Sequence, residues 1–168
     1  MDNAAHLHLL VNHFPIIGAF LAVPMLVLAF ILRKERGLLL ASVFLLVVTA
    51  ASGWASVETG ENAMDMFDAN EDAKWHKPYE EAEDALGEHQ DRAERAMYAA
   101  WPTALLGIAV LVMAHRRAAD EPLPRFWIAI LFVGAAATAG AMAYTGNAGG
   151  VIMHREIRGD SVDTTTKK

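Results

Sequence analysis

Histidine is the residue type through which this 168-residue chain could most readily do chemistry, because a neutral imidazole binds haem iron and other transition metals. The chain has seven histidines, and all but His115 fall near the same end of the apolar segments around them. His13 lies within such a segment, where an ionisable side chain is costly and usually has a functional partner. This distribution predicts a layer of imidazoles at one end of a helical membrane protein.

Residue counts along each predicted helix place several of these imidazoles at a similar height. Counting at about 1.5 Å per residue from the arginines that end the apolar segments places His6 about two turns above His13. These two residues are seven apart and share one face of a helix, whereas His8 is rotated off that face and is predicted to be a surface residue. His89 and His154 reach the height of His6 from the third and fourth helices.

The predicted ligands divide into those for haem and those for a bare metal ion. A haem iron needs two axial imidazoles, for which His13 and His89 are the first choice, with His6 and His154 as alternative partners or a second pair. His6 is closer in height to His89 than His13 is. Arginines could bind the haem propionates bidentately. A bare iron, copper or zinc ion needs further ligands, which glutamates could supply. The haem candidates are His6, His13, His89, His154, Arg92 and Arg155, and the bare-metal candidates are the same four histidines with Glu58, Glu61, Glu88 and Glu156.

Four long apolar segments are the elements that must position these residues. Each is close to the roughly 20 residues that a helix needs to cross a bilayer, and two short connections favour antiparallel neighbours. The sequence therefore predicts an all-α, membrane-embedded, up-down four-helix bundle whose third helix begins near Pro78 and extends beyond the outer membrane face. The predicted spans are 9–32, 38–57, 97–114 and 126–144. An outer acidic segment covers 58–95 and includes a polar loop at 62–77 with a short helical turn near 63–68. All of this lies in one domain, 1–160, before a disordered tail at 161–168.

Basic residues indicate the orientation of these spans. The short connections after the first and third spans are rich in lysine and arginine, whereas residues 58–95 are acidic. By the positive-inside rule, the short connections are cytoplasmic and both termini lie outside. We therefore expect a multi-pass protein of the bacterial inner membrane, with both termini and the histidine layer on the periplasmic side.

Composition excludes several classes of function. A hydrophobic fraction of 54% and a mean hydropathy of +0.25 are typical of a membrane protein, and a net charge of −6 argues against nucleic-acid binding. The absence of cysteine excludes disulfides, iron–sulfur clusters, thiolate zinc sites and covalently attached c-type haem. The sequence has no Gly-rich phosphate loop and no nucleophile elbow, so an electron-transfer or accessory subunit is favoured over an enzyme.

Three functions fit these features. The leading one is a b-type cytochrome that exchanges electrons with a periplasmic carrier or a quinol. The second is a non-haem metal protein that binds iron, copper or zinc with the same histidines and glutamates. The third is a non-catalytic accessory subunit of a larger respiratory or photosynthetic complex. The lipid bilayer is the partner common to all three.

Several short motifs resemble those of small uncharacterised bacterial four-span membrane proteins of the DUF2231-like group. The similarity covers nearly the whole chain apart from residues 62–77 and the tail, and it implies four membrane spans but little established biochemistry. The motifs that carry it coincide with the predicted histidine layer. They are the opening segment from His6 to Gly18, Thr59-Gly60-Glu61, Glu88-His89 with Ala93, Thr145-Gly146 with Gly149-Gly150, and His154-Arg155-Glu156-Ile157.

Overall fold

The computed structural model describes residues 4–68, 83–118 and 121–153, and within these ranges the chain forms five helices. Long uncharged runs favour helix in a bilayer, because a helix satisfies its backbone hydrogen bonds within one segment. The helices are α1 (Ala4–Val11), α2 (His13–Ile31), α3 (Arg36–Asp68), α4 (Glu83–His115) and α5 (Arg125–Met153).

The first predicted span is divided into α1 and α2 at Asn12. Pro15 explains this break, because proline lacks an N–H and its ring disturbs the carbonyl four residues earlier, at Val11, where α1 ends. The Asn12 N–H still donates to the carbonyl of His8 at 3.0 Å, so the helical path is only locally disturbed. The two helices together form one segment, His6–Ile31, that is long and apolar enough to cross a membrane.

The second long helix, α3, extends further than predicted. The polar loop expected from residue 62 is instead helical as far as Asp68, so the prediction of only a short turn near 63–68 is wrong. No glycine or proline interrupts residues 61–68, and the Asn62 amide donates to the Glu58 carbonyl at 2.7 Å. The predicted start of the third helix near Pro78 lies outside the described residues, among which α4 begins at Glu83.

The helices form the predicted up-down four-helix bundle, which confirms the all-α fold class. Both α2 and α4 pack against α3 and α5. Helices joined by the chain run in opposite directions, so α2 and α4 run the same way and lie across the bundle from each other. Four helical segments in the described ranges are long and apolar enough to span a membrane, as a multi-pass membrane protein requires.

The two ends of the bundle differ in chemistry. We call the end that carries His8 and His89 the histidine end, and the end that carries Arg36 and Arg117 the arginine end. At the arginine end, the Arg36 guanidinium donates to the Arg117 carbonyl at 3.3 Å, and the Arg117 side chain pairs with Glu121. The contact between Arg36 and Arg117 links the start of α3 with the connection after α4.

Small side chains fill the interior of the bundle. Most of the buried hydrophobic residues are alanines, whereas many of the phenylalanines are exposed on the outer surface, where lipid would contact them. Small residues let helix backbones approach closely in a bilayer. A Cβ added at Gly18 would lie 2.5 Å from the Thr49 hydroxyl oxygen, and one added at Gly134 would lie 2.7 Å from that of Thr103. A glycine–threonine contact therefore lets the two helices of each helical hairpin, α2 with α3 and α4 with α5, pack closely.

Candidate functional site

His8 lies on α1 and contacts α3 at the histidine end. Its side chain is half-buried, and its Nδ1 lies 3.0 Å from the Ser56 carbonyl oxygen and 3.4 Å from the Thr59 hydroxyl oxygen. The imidazole packs against Gly60, where an added Cβ would lie 3.3 Å from the ring Cε1. The glycine therefore lets the ring approach the α3 backbone closely.

His89 has corresponding contacts in the other half of the bundle. It lies on α4, its side chain is half-buried, and its Nδ1 lies 3.0 Å from the Thr145 carbonyl oxygen on α5. An added Cβ at Gly149 would lie 3.1 Å from the His89 Cε1 and 3.3 Å from its Nδ1. The ring therefore rests on the α5 backbone at a glycine.

These hydrogen bonds fix the protonation pattern of both neutral imidazoles. A carbonyl oxygen can only accept a hydrogen bond, so Nδ1 of each ring carries the proton and Nε2 keeps its lone pair. Metal-binding histidines are commonly held in this way, with one ring nitrogen oriented by a carbonyl and the other free to bind. His8 and His89 lie at the same end of the bundle, one in each half. The structure thus places two oriented nitrogen donors at the histidine end.

The prediction that His8 is a surface residue is wrong. The buried face of α2 includes Pro15 and Ala22, and His8 is seven residues before Pro15, so it continues this face. The predicted His6/His13 face is instead exposed, and it continues into the large exposed side chain of Phe20. Ala22 and Ala29 lie 14 and 21 residues after His8 and are buried. These two alanines are the sequence signal that points to His8, because small side chains mark the helix face that packs in a membrane.

The structure therefore separates the predicted ligands into three groups. His89 lies at the site, whereas His6 and His13 are exposed and do not lie at it. His154, Arg155 and Glu156 lie outside the described residues.

The predicted glutamate ligands form no metal-binding cluster in the described part of the chain. Glu58 and Glu61 are exposed, and the Gln90 amide donates to Glu61 at 3.5 Å. Glu88 forms an ion pair with Arg92 one turn along α4. Residues 4–68, 83–118 and 121–153 contain no group of three or more histidine, aspartate or glutamate side chains that could hold a metal ion.

Arg92 lies beside His89 and is the predicted propionate partner within the described residues. Its side chain is only 15% exposed, and its guanidinium lies 3.8 Å from the centre of the Tyr144 ring. It also donates to the Tyr144 carbonyl at 3.3 Å. The aromatic ring therefore holds the Arg92 cation in position at the histidine end, one turn along α4 from His89.

The arrangement provides two imidazole donors and one adjacent cation. No family model, curated protein or solved structure matches the chain. Imidazole nitrogens of this kind can bind a transition metal, and a guanidinium can bind a carboxylate.

Proposed function

We propose that this protein is a membrane-bound b-type cytochrome-like electron-transfer protein, or a redox subunit, whose haem is bound by His8 and His89. One observation carries the proposal: two imidazoles at the same end of the bundle each donate Nδ1–H to a backbone carbonyl, which leaves the lone pair of each Nε2 for a ligand. Bound haem supplies a reversible ferric–ferrous couple, and filling both axial positions with imidazole favours electron transfer over oxygen chemistry.

The number of donors favours haem over a bare metal ion. A porphyrin supplies four of the six iron ligands, so two histidines complete the coordination. A structural zinc site needs four protein ligands, and a catalytic one needs three. The described residues place two imidazoles at the histidine end and contain no group of three or more side chains that could hold a metal ion. The observed pair therefore fits haem better than iron, copper or zinc alone.

The surrounding residues have separate tasks in this proposal. The carbonyls of Ser56 and Thr145 orient the two imidazoles and hold the proton on Nδ1. Arg92 binds a haem propionate, because its guanidinium lies next to His89 and matches carboxylate geometry. The Tyr144 ring holds that guanidinium in place.

The orientation of the protein completes the proposal. The arginine end faces the cytoplasm of a bacterial inner membrane, and the histidine end faces the periplasm, as the distribution of basic residues favours. A haem held by His8 and His89 would then supply a redox centre at the periplasmic side, within reach of a periplasmic carrier or of a quinol near the outer leaflet.

A dithionite-reduced-minus-oxidised visible spectrum of the detergent-purified protein, expressed with haem supplied, tests the proposal. We expect the sharp alpha band of b-type haem. A flat spectrum refutes the haem proposal, and metal analysis of the same sample then separates the alternatives. Stoichiometric iron, copper or zinc without a Soret band indicates a non-haem metal protein, whereas metal-free protein that co-purifies with a large assembly indicates an accessory subunit.

A further inference from the structure

The two helical hairpins have the same pattern of buried residues. The hairpins are α2 with α3 and α4 with α5, so α2 and α4 are their first helices. Buried positions of α2 correspond to buried positions of α4 that are 81 residues later in the chain. This register holds over most of the membrane-crossing length. Examples are the pairs Pro15/Ala96, Ala22/Thr103 and Ala29/Val110.

The second helices of the hairpins show a similar correspondence. Buried positions of α3 correspond to buried positions of α5 that are 89 residues later. Because the order of packing around the bundle is α2, α3, α4, α5, exchanging the two hairpins is a half-turn about the bundle axis. Such parallel repeats about an axis along the membrane normal are known in membrane proteins. Examples of the matched pairs are Leu46/Ala135, Thr49/Thr138 and Gly53/Met142.

The same two registers relate the residues of the candidate site. His89 follows His8 by 81 residues, and Thr145 follows Ser56 by 89. The contacts match as well, because His8 donates Nδ1–H to the Ser56 carbonyl and His89 donates Nδ1–H to the Thr145 carbonyl, each over 3.0 Å. Each hairpin therefore contributes one histidine that has the same backbone contact.

The glycines under the rings follow the same register. Gly149 follows Gly60 by 89 residues, and each glycine comes four residues after the carbonyl that accepts the histidine hydrogen bond. An added Cβ would approach the ring Cε1 to 3.3 Å at Gly60 and to 3.1 Å at Gly149. A side chain at either position would push the imidazole away from its carbonyl by a few tenths of an ångström.

We propose that the two hairpins are equivalent halves of one shared site, in which His8 and His89 bind a single ligand on the axis between them. Gly60 and Gly149 are its positioning residues, because they set the distance of each ring from the axis. The inference rests on the proposed function for the identity of the ligand, and it specifies one haem per chain rather than two. An iron porphyrin suits such a site because its two axial positions lie on opposite sides of the ring and accept equivalent donors.

Haemin titration of the full-length detergent-purified chain and its glycine variants tests this inference. We expect the wild-type protein to bind one haemin per chain with a low-spin spectrum. Gly60→Ala and Gly149→Ala should each weaken haemin binding by about tenfold or more, as loss of orienting contacts around metal ligands does, and shift the spectrum toward the high-spin form. The matched control is Gly150→Ala, since an added Cβ at that neighbouring glycine meets no described atom within 4 Å. It should leave affinity and spin state unchanged.

Three results of the titration would overturn the shared site. They are two haemins per chain, an effect of only one of the two paired glycines, or an equal effect of Gly150→Ala and Gly149→Ala. If the wild-type protein binds no haemin at all, the proposed function fails, and a crosslinking measurement then decides on the shared site.

Crosslinking tests the shared site without haem, and the chain is suited to it because it has no cysteine. We expect a short bismaleimide to join the two cysteines of the His8→Cys/His89→Cys variant within one chain, as seen by intact mass. The control is His13→Cys/His89→Cys, since His13 is exposed on another face of the segment. Separate modification of both cysteines in the first variant, or equal crosslinking in the control, would rule out the shared site.

Discussion

Replacing Gly18 by alanine tests the close packing of α2 on α3, which brings His8 to its carbonyl partner. The new Cβ would lie 2.5 Å from the Thr49 hydroxyl oxygen and 3.4 Å from the Leu45 carbonyl oxygen. Ordinary non-bonded contact is about 3.5 Å or more, so the helices must separate by about 1 Å or Thr49 must change its rotamer. Thr49 has no exposed surface and little room to move. The variant should therefore strain the interface.

The expected free-energy change is the difference between two opposing terms. Overpacking a close-packed core costs about 1–3 kcal/mol. Alanine is favoured over glycine within a helix by about 0.5–1 kcal/mol. Gly18→Ala should therefore destabilise the protein by about 1 kcal/mol, between limits of about 0 and 2.5 kcal/mol. Gly140→Ala, on an exposed position where an added Cβ meets no described atom within 4 Å, should instead be neutral or stabilising.

A double-mutant cycle with Thr49→Ala assigns the effect to this one contact. Removing the hydroxyl oxygen leaves the Thr49 Cβ at 3.7 Å from the new Cβ of residue 18, which is ordinary contact. In the Thr49→Ala background, Gly18→Ala should therefore become neutral or stabilising, with a coupling energy of about 1–3 kcal/mol. Unfolding by SDS in mixed micelles, followed by circular dichroism, measures all four proteins. If Gly18→Ala behaves like Gly140→Ala, or the coupling energy is near zero, the close-packing argument is wrong.

Two further predictions concern the histidine end and the orientation. Arg92→Ala should lower the free energy of unfolding by about 1–2 kcal/mol, through loss of the Tyr144 ring and carbonyl contacts. The control is Arg95→Ala, because the Arg95 side chain is 71% exposed; it should change the free energy of unfolding by less than about 0.5 kcal/mol. Equal effects of the two substitutions in the same unfolding assay would contradict the role of the Tyr144 ring. A membrane-impermeant maleimide added to intact cells should label Asp84→Cys but not Lys34→Cys, because short connections rich in basic residues are retained inside. The reverse labelling pattern would invert the proposed orientation.

The bundle itself could be predicted from the sequence because lipid imposes a simple rule. Runs of about 20 apolar residues must be helical to satisfy their backbone hydrogen bonds, and short connections make neighbouring helices antiparallel. The ends of helices outside the membrane follow weaker signals. The extension of α3 to Asp68 depends on ordinary helix-forming residues in a polar stretch, where composition also permitted a loop.

The choice between the histidine faces required the packing to be known. His89 was identified by its height along the helix, which residue counting gives directly. His13 was favoured over His8 because an ionisable group in an apolar span is costly, but that argument does not say which face of the helix is buried. The small residues Ala22 and Ala29 lie on the buried face, and His8 belongs to the same face. In a membrane helix the small residues therefore locate the interior better than the ionisable ones do.

Spectra of single-histidine variants test the central claim most directly. His8→Ala and His89→Ala should each abolish the low-spin b-type spectrum of the haem-loaded protein, because each removes one of the two axial ligands. His6→Ala and His13→Ala should leave it unchanged, since both side chains are exposed away from the paired imidazoles. Loss of the low-spin spectrum in His13→Ala, together with its retention in His8→Ala, would contradict the account and would place the site on the His6/His13 face of the first span.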